Sequence, residues 1–508
     1  MRPATGNGPA LHPLKAKCLA LYTQREPIVL MHADCPVARS EGLSARAQVE
    51  LHANGRSAIA TLYQVRGDIL EEDQVGLSDN VRHRLSVCDG TEIKISHPRP
   101  LDSMSAVRAK VYGHRLDEGR LDAIIQDIAA ERYSDVQLAA FVSAFSGQSS
   151  RLEEMVALTR AMVAVGDRLT WPTSPIMDKH CVGGLPANRT TPIVVSIVAA
   201  SGLTIPKTSS RAITSPAGTA DAMETMAPVD LDLSAMRRVV ELEGGCIAWG
   251  GSVQLSPADD ILIRVERALD IDSPAQLVAS VLSKKIAAGS SHVVLDLPVG
   301  PTAKVRSERD AAELGAHLTA VAAAFDLKVR PIVTDGSQPV GRGIGPALEA
   351  RDVLSVLRRN ADAPADLGTR AIRLAGAILE YGGAATDGQG EAAAADILSD
   401  GRALRKFMAI CEAQGGFTEP PMAQLRHVIE ARSDGIVETI DNRLLARMAK
   451  LAGAPESRSA GLELHVKIGA GIERGQPIIT LHGENAGELA YALAFADANP
   501  DTVKVKPE

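Results

Sequence analysis

The chain has 508 residues, a length that is typical of about three domains of ~150 residues each. Its 45% hydrophobic and 23% charged residues are ordinary values for a soluble globular protein. The aromatic content of 3% argues against stacking platforms for single-stranded nucleic acid, and the net charge of −8 argues against a broad nucleic-acid surface. We therefore expect no nucleic-acid partner, although a local cationic pocket is compatible with these values.

The six cysteines are scattered, without a CxxC pair or a His/Cys cluster at metal-ligand spacing. This pattern predicts a reduced, cytoplasmic protein without a metal site. Residues 1–14 contain no apolar core of a signal peptide, and no later segment has ~18 uninterrupted apolar residues. We therefore expect a chain that is neither secreted nor membrane-spanning.

Residues 1–100 are predicted to form a β-rich, barrel-like module. A helix is predicted at residues 78–85, between short strand-like runs separated by Gly, Asp and Asn. These runs are residues 27–31, 47–51 and 92–95. Residues 76–80 with 88–91 are similar to double-psi barrel modules that precede some nucleotide-processing enzymes. A plain structural or assembly module is the favoured alternative.

Residues 101–170 are predicted to form a helical domain. Leu138, Phe141, Val142 and Phe145 follow the i, i+3, i+4, i+7 spacing of a buried helix face. Ser134 is the predicted N-cap of that helix. Further helices near residues 258–288 are interpreted as a return of the chain to this domain.

From residue 171 the pattern changes to short apolar strands that alternate with longer amphipathic helices, as at residues 291–296 and 328–333. The alternation predicts a large, mostly parallel α/β domain formed by residues 171–257 and 289–430. In such sheets, ligands bind at the carboxyl ends of the strands.

The last segment, residues 431–508, is predicted to be α+β, which completes a multidomain α/β fold. Its V-x-x-G-x-x-I-x-x-G rhythm from Val466 to Gly475 resembles biotinyl and lipoyl hammerheads. The hairpin that bears the carrier lysine in those modules has no counterpart here. We therefore expect a structural role rather than a carrier role.

The segment Asp-Lys-His-Cys-Val-Gly-Gly at residues 178–184 has the composition of an anion-binding loop. A strand, a glycine turn and a following helix offer free N–H groups and a positive helix end, and Lys179 adds a full charge. His180 beside this cation is a candidate donor of a proton or a hydrogen bond near neutral pH. The alternative for the glycine pair alone is an ordinary βα turn.

A second polar segment, Lys-Thr-Ser-Ser-Arg-Ala-Ile-Thr-Ser-Pro-Ala-Gly-Thr, follows at residues 207–219. Its hydroxyls are neutral donors and Arg211 is a bidentate clamp, which suits phosphate or a phosphorylated sugar. A Ser/Thr-rich loop with a helix cap at Thr219 is the alternative for any single residue.

Ser280 and Lys284 are four residues apart and share one helix face. Together with Arg264 they are candidates to bind a polar base. The alternative is a capped helix with solvated lysines.

These motifs, in this order, resemble the thymidine and pyrimidine-nucleoside phosphorylase family, and within it the longer branch that includes AMP phosphorylase. The motifs that carry the resemblance lie at residues 158–162, 178–184, 280–285, 338–341 and 345–349. The resemblance covers the chain from about residue 116 to its end. It implies a helical domain and an α/β domain that close around the substrates, and a homodimer or higher homo-oligomer.

The resemblance also implies roles for individual residues. For phosphate it implies Lys179, Thr191, Ser209 and Thr219, and for the base His180, Arg264 (or Arg267), Ser280 and Lys284. From the longer branch it implies further substrate contacts at Gly184, Ser210, Arg211, Ala212, Ile213, Thr214, Ser215, Thr219, Ser280 and Lys304. Asp272 is implied as the proton donor, with His180 in that role in the simpler nucleoside enzymes. Cys181 departs from the family pattern, which has a hydroxyl residue after the histidine.

The predicted activity is reversible phosphorolysis of a nucleoside, with thymidine as the best-known substrate, or of a nucleoside 5′-monophosphate to ribose 1,5-bisphosphate. Inorganic phosphate is the co-substrate and no cofactor is expected. Two alternatives are an anthranilate-type phosphoribosyltransferase, which would need Mg²⁺ to hold pyrophosphate, and a non-catalytic nucleotide sensor.

Overall fold

The computed structural model describes residues 13–506 apart from 24, 25, 147–150, 213, 214, 270 and 272. The chain divides into two compact units, one of residues up to 108 with 127–138, the other of residues 109–126 with 139–508. The elements are numbered in chain order.

The strands are β1 Leu14–Leu21, β2 Ile28–His32, β3 Gln48–Ala53, β4 Arg56–Val65, β5 Gln74–Ser78, β6 Glu92–Ser96, β7 Met177–Cys181, β8 Ile205–Ser209, β9 Gly245–Trp249, β10 His292–Val299, β11 Lys328–Asp335, β12 Gly343–Ile344, β13 Leu425–Glu430, β14 Gly435–Ile440, β15 Gly461–Leu464, β16 Gly471–Ile472, β17 Pro477–Gly483 and β18 Val503–Lys506.

The helices are α1 Pro36–Ser40, α2 Asp79–Leu85, α3 Ser103–Val111, α4 Glu118–Ala129, α5 Asp135–Ser146, α6 Leu152–Ala164, α7 Thr191–Ala200, α8 Thr219–Glu224, α9 Leu233–Glu243, α10 Pro257–Leu269, α11 Pro274–Ala287, α12 Glu308–Ala323, α13 Pro346–Arg358, α14 Ala365–Tyr381, α15 Gly390–Ser399, α16 Arg402–Gln414, α17 Asn442–Leu451 and α18 Ala486–Ala498.

The first unit contains a closed barrel with the strand order β1-β5-β2-β4-β3-β6. The predicted barrel-like module is confirmed, and β2, β3 and β6 correspond to the three predicted strands. The sequence did not reveal β5, because Gly76 there looks like a turn residue. In the barrel a Cβ at Gly76 would lie 2.4 Å from the Leu19 side chain, so this glycine makes room for a neighbouring side chain inside a strand.

The helical segments follow the predicted pattern closely. Ser134 and Gln137 form a reciprocal cap, with the Ser134 N–H donating to Gln137 Oε1 at 2.8 Å. In the second unit, α11 packs on α6, and Ser273 accepts the backbone N–H of Gln276 at the start of α11. The return segment therefore packs against the helical part of the second unit.

The α/β part is built on parallel strands. The order β11-β10-β7 is parallel throughout, β8 pairs with β9 in parallel, and a bridge from Ile176 to Thr204 joins the two groups. The carboxyl ends of β7 and β8 therefore lie side by side, and these ends carry Cys181 and Ser209.

Helix α7 differs from the amphipathic helix that the sequence predicted. Every residue from Thr191 to Ala199 is buried. The reason is that α7 contacts α14 and α16 as well as β8 and β9, so no face is left for solvent.

The C-terminal segment is α+β, as predicted, with two small sheets ordered β12-β15-β17-β13 and β16-β14-β18. Lys467 donates to the carbonyls of Pro339 and Gly341 and pairs with Asp366 at 2.7 Å. This lysine fastens the segment to the α/β part, in keeping with the structural role expected for the hammerhead-like rhythm. The predicted multidomain α/β fold class is confirmed, whereas the exact domain boundaries stay a prediction.

Candidate active site

Lys179 is the central cation of the first loop. Its side chain is buried, and Nζ lies 2.8 Å from the Thr190 hydroxyl and 3.5 Å from that of Thr191. Burial lowers the pKa of Lys179, because a charge is costly where water is excluded. An anion bound beside this ammonium would offset that cost, so the arrangement favours phosphate.

Asp178, which precedes Lys179, is part of a buried cluster of ionisable side chains. Asp178 is fully buried, with Lys285 Nζ at 2.8 Å and Lys207 Nζ at 3.7 Å from its carboxylate oxygens. Burial would raise the pKa of Asp178, but Lys285 and Lys207 outweigh it and lower that pKa. Burial and Lys285 in turn hold the pKa of Lys207 well below its usual range. Two lysines therefore surround one buried carboxylate at β7, next to Lys179.

His180 is held in its neutral form. Burial, and then Lys285, Lys207, Lys284 and Lys179, lower its pKa well below 6.5. An imidazolium is therefore unavailable near neutral pH, which narrows the role expected from the sequence. The neutral ring still carries one N–H donor, which suits a hydrogen bond to a base that gains negative charge.

Cys181 occupies the position where the family has a hydroxyl residue. Burial raises the pKa of its thiol to about 12, so the thiol stays protonated. The Asn188 amide lies 3.4 Å from its sulfur and 3.2 Å from Asp296 Oδ2. A thiol is a weak hydrogen-bond donor, so this position contributes little to anion binding.

Replacing this thiol with a hydroxyl is expected to strengthen phosphate binding. We expect Cys181→Ser to lower the KM for phosphate by about threefold, since one added hydrogen bond contributes on the order of 1 kcal/mol. The KM for the second substrate should stay within about twofold of its original value. Steady-state kinetics with each substrate varied in turn would check this, and an unchanged or higher phosphate KM would contradict it.

Gly218 permits a close backbone contact within the second loop. A Cβ at Gly218 would lie 2.5 Å from the Ser210 carbonyl oxygen and 2.7 Å from the Ala212 nitrogen. The Asp221 carboxylate also accepts the N–H groups of Ala212 and Gly218. This close approach places residues 210–212 directly beside the start of α8.

The hydroxyl groups of the second loop differ in their hydrogen-bond partners. Ser209 is buried at the end of β8, and its Oγ has no hydrogen-bond partner among the residues that the structure describes. Ser215 donates to the Ala217 carbonyl at 2.8 Å, whereas Ser210 is exposed. A buried donor without a protein partner is a candidate contact for a ligand, so Ser209 fits its predicted phosphate role best.

The Arg211 guanidinium is already engaged by other side chains of the protein. Its guanidinium donates to both carboxylate oxygens of Glu224, at 2.7 and 3.0 Å, and stacks over Trp249. The hydrogen bonds to Glu224 are the main reason that its pKa is raised. To clamp a substrate anion, as the sequence predicted, Arg211 would have to leave Glu224.

Gly184, in the glycine turn of the first loop, lies against Lys304, which is another predicted substrate contact. Gly184 has φ +79°, and a Cβ there would lie 2.3 Å from the Lys304 backbone nitrogen. Only glycine permits this approach. Two predicted substrate contacts that are far apart in sequence thus become neighbours.

Apart from His180 on β7, the predicted base-binding residues lie on α10 and α11. Lys284 forms an ion pair with the buried Asp259, so the solvated-lysine alternative is wrong for this residue. Burial would lower the pKa of Lys284, but Asp259 raises it above its ordinary value. Lys284 is also one of the lysines that lower the pKa of His180. Arg264 lies on the same helix as Asp259.

Three predicted site residues lie outside the described residues, namely Ile213, Thr214 and Asp272. Their roles stay predictions, as do those of the other residues carried over from the family.

Sequence reasoning missed Asp259, Lys207 and Lys285 as parts of the site. It also missed Arg189, which donates to the Thr219 hydroxyl and to Glu349. Lys207 and Lys285 lie in the polar motifs at residues 207–219 and 280–285, and Asp259 begins the segment that leads to Arg264, so the sequence offered a signal for all three. Arg189 has no local signal, because its partners are distant in sequence.

Glu349 is a buried carboxyl whose ionisation should be visible in stability. Burial raises its pKa from 4.5 to about 7, against the opposing effect of Arg189. Because the folded-state pKa is raised, this contribution to stability is complete below pH 4.5 and is lost as pH rises to about 7.

We therefore expect wild-type stability, relative to Glu349→Gln, to fall by about 3 kcal/mol over that interval, at about 1.4 kcal/mol per pKa unit. Urea unfolding of both proteins at several pH values would measure it. A difference that is independent of pH would contradict the shift.

Two general features complete the description. Within the described ranges, no three or more His, Cys, Asp or Glu side chains are grouped so as to hold a metal ion. None of the helices described here combines the length and the apolar composition needed to cross a membrane.

Comparisons with known families define the class of protein. Residues 173–404 match the a/b domain of the glycosyl transferase family, and residues 104–166 match the helical bundle domain of that family. A solved structure, anthranilate phosphoribosyltransferase from Thermus thermophilus, superposes with a TM-score of 0.51 at 21% identity. The superposition covers 61% of this chain and 99% of that one, and it shows a shared fold.

Curated relatives match nearly the whole chain. A "Putative thymidine phosphorylase" of Chelativorans sp. (strain BNC1) is 58% identical over 500 residues, which is 98% of each chain. "Putative thymidine phosphorylase 1" of Acidovorax sp. (strain JS42) is 60% identical over 495 residues, which is 97% of each. The chain belongs to the thymidine and pyrimidine-nucleoside phosphorylase family and is a pentosyltransferase, as the sequence motifs predicted.

Proposed function

We propose that this protein catalyses the reversible phosphorolysis of pyrimidine nucleosides, with thymidine as the first substrate to test. Thymidine and phosphate would give thymine and 2-deoxyribose 1-phosphate. The observation that carries the proposal is the buried Lys179 with its two threonine hydroxyls at the carboxyl end of β7. The names of the close relatives support the same substrate.

The proposed reaction moves charge in a defined way. A phosphate oxygen forms a bond to the anomeric carbon while the bond to the base nitrogen breaks, and the electron pair of that bond goes to the base. The sugar becomes oxocarbenium-like, so an adjacent phosphate and donors near the base both favour the transition state. Lys179 and Ser209 would bind phosphate, and the neutral His180 and Lys284 would face the base. The enzyme would function in the cytoplasm without a cofactor, as a homodimer or higher homo-oligomer.

Protonation of the departing base is assigned, from the family resemblance, to Asp272. We expect Asp272→Asn to lower kcat by about 10²-fold or more and to leave the KM for phosphate within about threefold. Steady-state kinetics in the phosphorolysis direction would test it. An unchanged kcat would remove Asp272 from this role.

A nucleoside 5′-monophosphate is the second candidate substrate, with AMP giving ribose 1,5-bisphosphate. The exposed hydroxyl of Ser210 in the second loop favours it, whereas Ser215 already donates to the Ala217 carbonyl. The engagement of Arg211 with Glu224 weighs against it, because a 5′-phosphate would have to compete with that carboxylate.

A phosphate-dependent assay of base release would decide among the candidates. Thymidine, uridine, AMP, CMP and UMP would be compared, and release from thymidine or uridine is the expected result. Release only from the monophosphates would favour the second candidate. Activity that requires phosphoribosyl pyrophosphate and is abolished by EDTA would favour a phosphoribosyltransferase, whose fold is similar. Binding without any turnover would favour a sensor.

A further inference from the structure

We propose that Arg189 is a positioning residue that joins the two phosphate loops and orients the Thr219 hydroxyl toward phosphate. The proposal rests on the proposed function, and it concerns a residue to which neither the motifs nor the family resemblance gives a role. Arg189 stands between Asn188 and Thr190, so it belongs to the first loop by sequence. Its side chain reaches the second loop.

The contacts of Arg189 account for most of its guanidinium. Nη1 donates to the Thr219 hydroxyl at 2.6 Å and Nη2 donates to the Ala217 carbonyl at 2.9 Å. Nε donates to Glu349 at 2.7 Å, and Nη2 lies 2.5 Å from the same carboxylate oxygen. A planar guanidinium can satisfy these three partners at once, whereas an ammonium is a point charge without the fork geometry.

Donation from Arg189 fixes the polarity of the Thr219 hydroxyl. A hydroxyl has one proton to donate and two lone pairs to accept with. Arg189 occupies a lone pair, and in the described part of the chain the hydroxyl takes part only as an acceptor. Its proton is therefore left to donate to a ligand, and phosphate is a strong acceptor.

The first loop uses the same device independently. Lys179 donates to the hydroxyls of Thr190 and Thr191, which leaves their protons to be donated in turn. Lys179 therefore orients two hydroxyls of the first loop. Arg189, which also belongs to the first loop, orients the Thr219 hydroxyl of the second loop. Such a set of donors suits an acceptor-only ligand such as phosphate.

Glu349 is the third partner of the Arg189 guanidinium. It lies in the first turn of α13, its side chain is 1% exposed, and it accepts the Gly345 N–H at 3.3 Å. Buried in this way, Glu349 holds Arg189 in a single orientation. Without Arg189, the second loop would lose its hydrogen-bonded link to the first at Thr219 and Ala217.

The test uses Arg189→Met, which keeps the apolar stem of the side chain and removes its donors. We expect the KM for phosphate to rise at least tenfold while the KM for the nucleoside stays within about twofold. Arg189→Lys should recover only part of the loss. Arg330→Met is the control, because the side-chain hydrogen-bond partners of Arg330 within the described residues, Glu380 and the Ala377 carbonyl, belong to α14 rather than to either loop.

A double-mutant cycle separates action through Thr219 from a general structural effect. If Arg189 acts by orienting Thr219, then Arg189→Met combined with Thr219→Val should be little worse than the worse of the two single variants. Fully additive losses, or equal rises in both KM values, would overturn the proposal. If Arg189→Met fails to fold, Arg189→Met with Glu349→Gln, which removes the stranded carboxylate, replaces it.

Direct binding keeps this test independent of the proposed reaction. Calorimetric titration of inorganic phosphate into wild type, Arg189→Met and Arg330→Met needs no turnover. Weaker phosphate binding by Arg189→Met alone would support the proposal even if no nucleoside is cleaved. Equal phosphate binding by all three proteins would overturn it, whatever the substrate proves to be.

Discussion

Lys179→Met is expected to reduce kcat/KM for phosphate by on the order of 10³-fold, which corresponds to about 4 kcal/mol of transition-state stabilisation. The reason is that the variant removes the buried ammonium and leaves Thr190 and Thr191 without the donor that orients them. Methionine fills similar space, so the loss should reflect charge and hydrogen bonding rather than a cavity. Kinetics with phosphate varied at saturating nucleoside would measure it.

Two controls make this result interpretable. Lys406→Met removes a lysine that pairs with Glu243 away from the loops, and it should leave both KM values within about twofold. Thermal unfolding of Lys179→Met should show that the variant is folded. If the folded variant keeps more than about a third of wild-type kcat/KM for phosphate, Lys179 does not bind the phosphate.

His180→Ala is expected to lower kcat/KM for the nucleoside by about 10²-fold, with His180→Gln recovering at least tenfold of that loss. Glutamine has an N–H donor but cannot be a cationic acid, so recovery follows if His180 acts as a neutral donor. This role follows from burial and the surrounding lysines, which lower the His180 pKa well below 6.5.

The pH profile gives a second check on the same residue. An imidazolium acid would make activity fall as pH rises through its pKa. Because burial and the nearby lysines lower the pKa of His180 well below 6.5, the wild-type to His180→Gln activity ratio should be constant between pH 6 and 8, and other titrating groups cancel in the ratio. A tenfold fall in the ratio between pH 6 and 8 would show that His180 is a proton donor after all.

These predictions concern a loop whose position the sequence indicated well. The strand, glycine pair and helix around Lys179 are consecutive, so their local pattern was sufficient to predict an anion site. Ser209 was likewise expected to contact phosphate. Its unpaired hydroxyl became evident only in the folded chain, because hydrogen-bond partners depend on packing.

Other features could not be predicted from local sequence patterns. Helix α7 was expected to have a polar face, and its complete burial depends on helices that follow about two hundred residues later. Arg211 was expected to be a clamp for a ligand, and its engagement with Glu224 depends on how α8 folds back beside the loop. Sequence alone gives the charge of such a residue but not its partner.

The sequence by itself determined the class of fold, the family and the two polar loops, because these depend on hydrophobic period, glycine positions and residues close together along the chain. Only the tertiary structure decided which charged side chains pair with one another. The partner of Arg189 is Glu349, 160 residues away, and Asp178 is flanked by Lys207 and Lys285. Electrostatic interaction depends on distance and burial, and both are set when distant segments pack together.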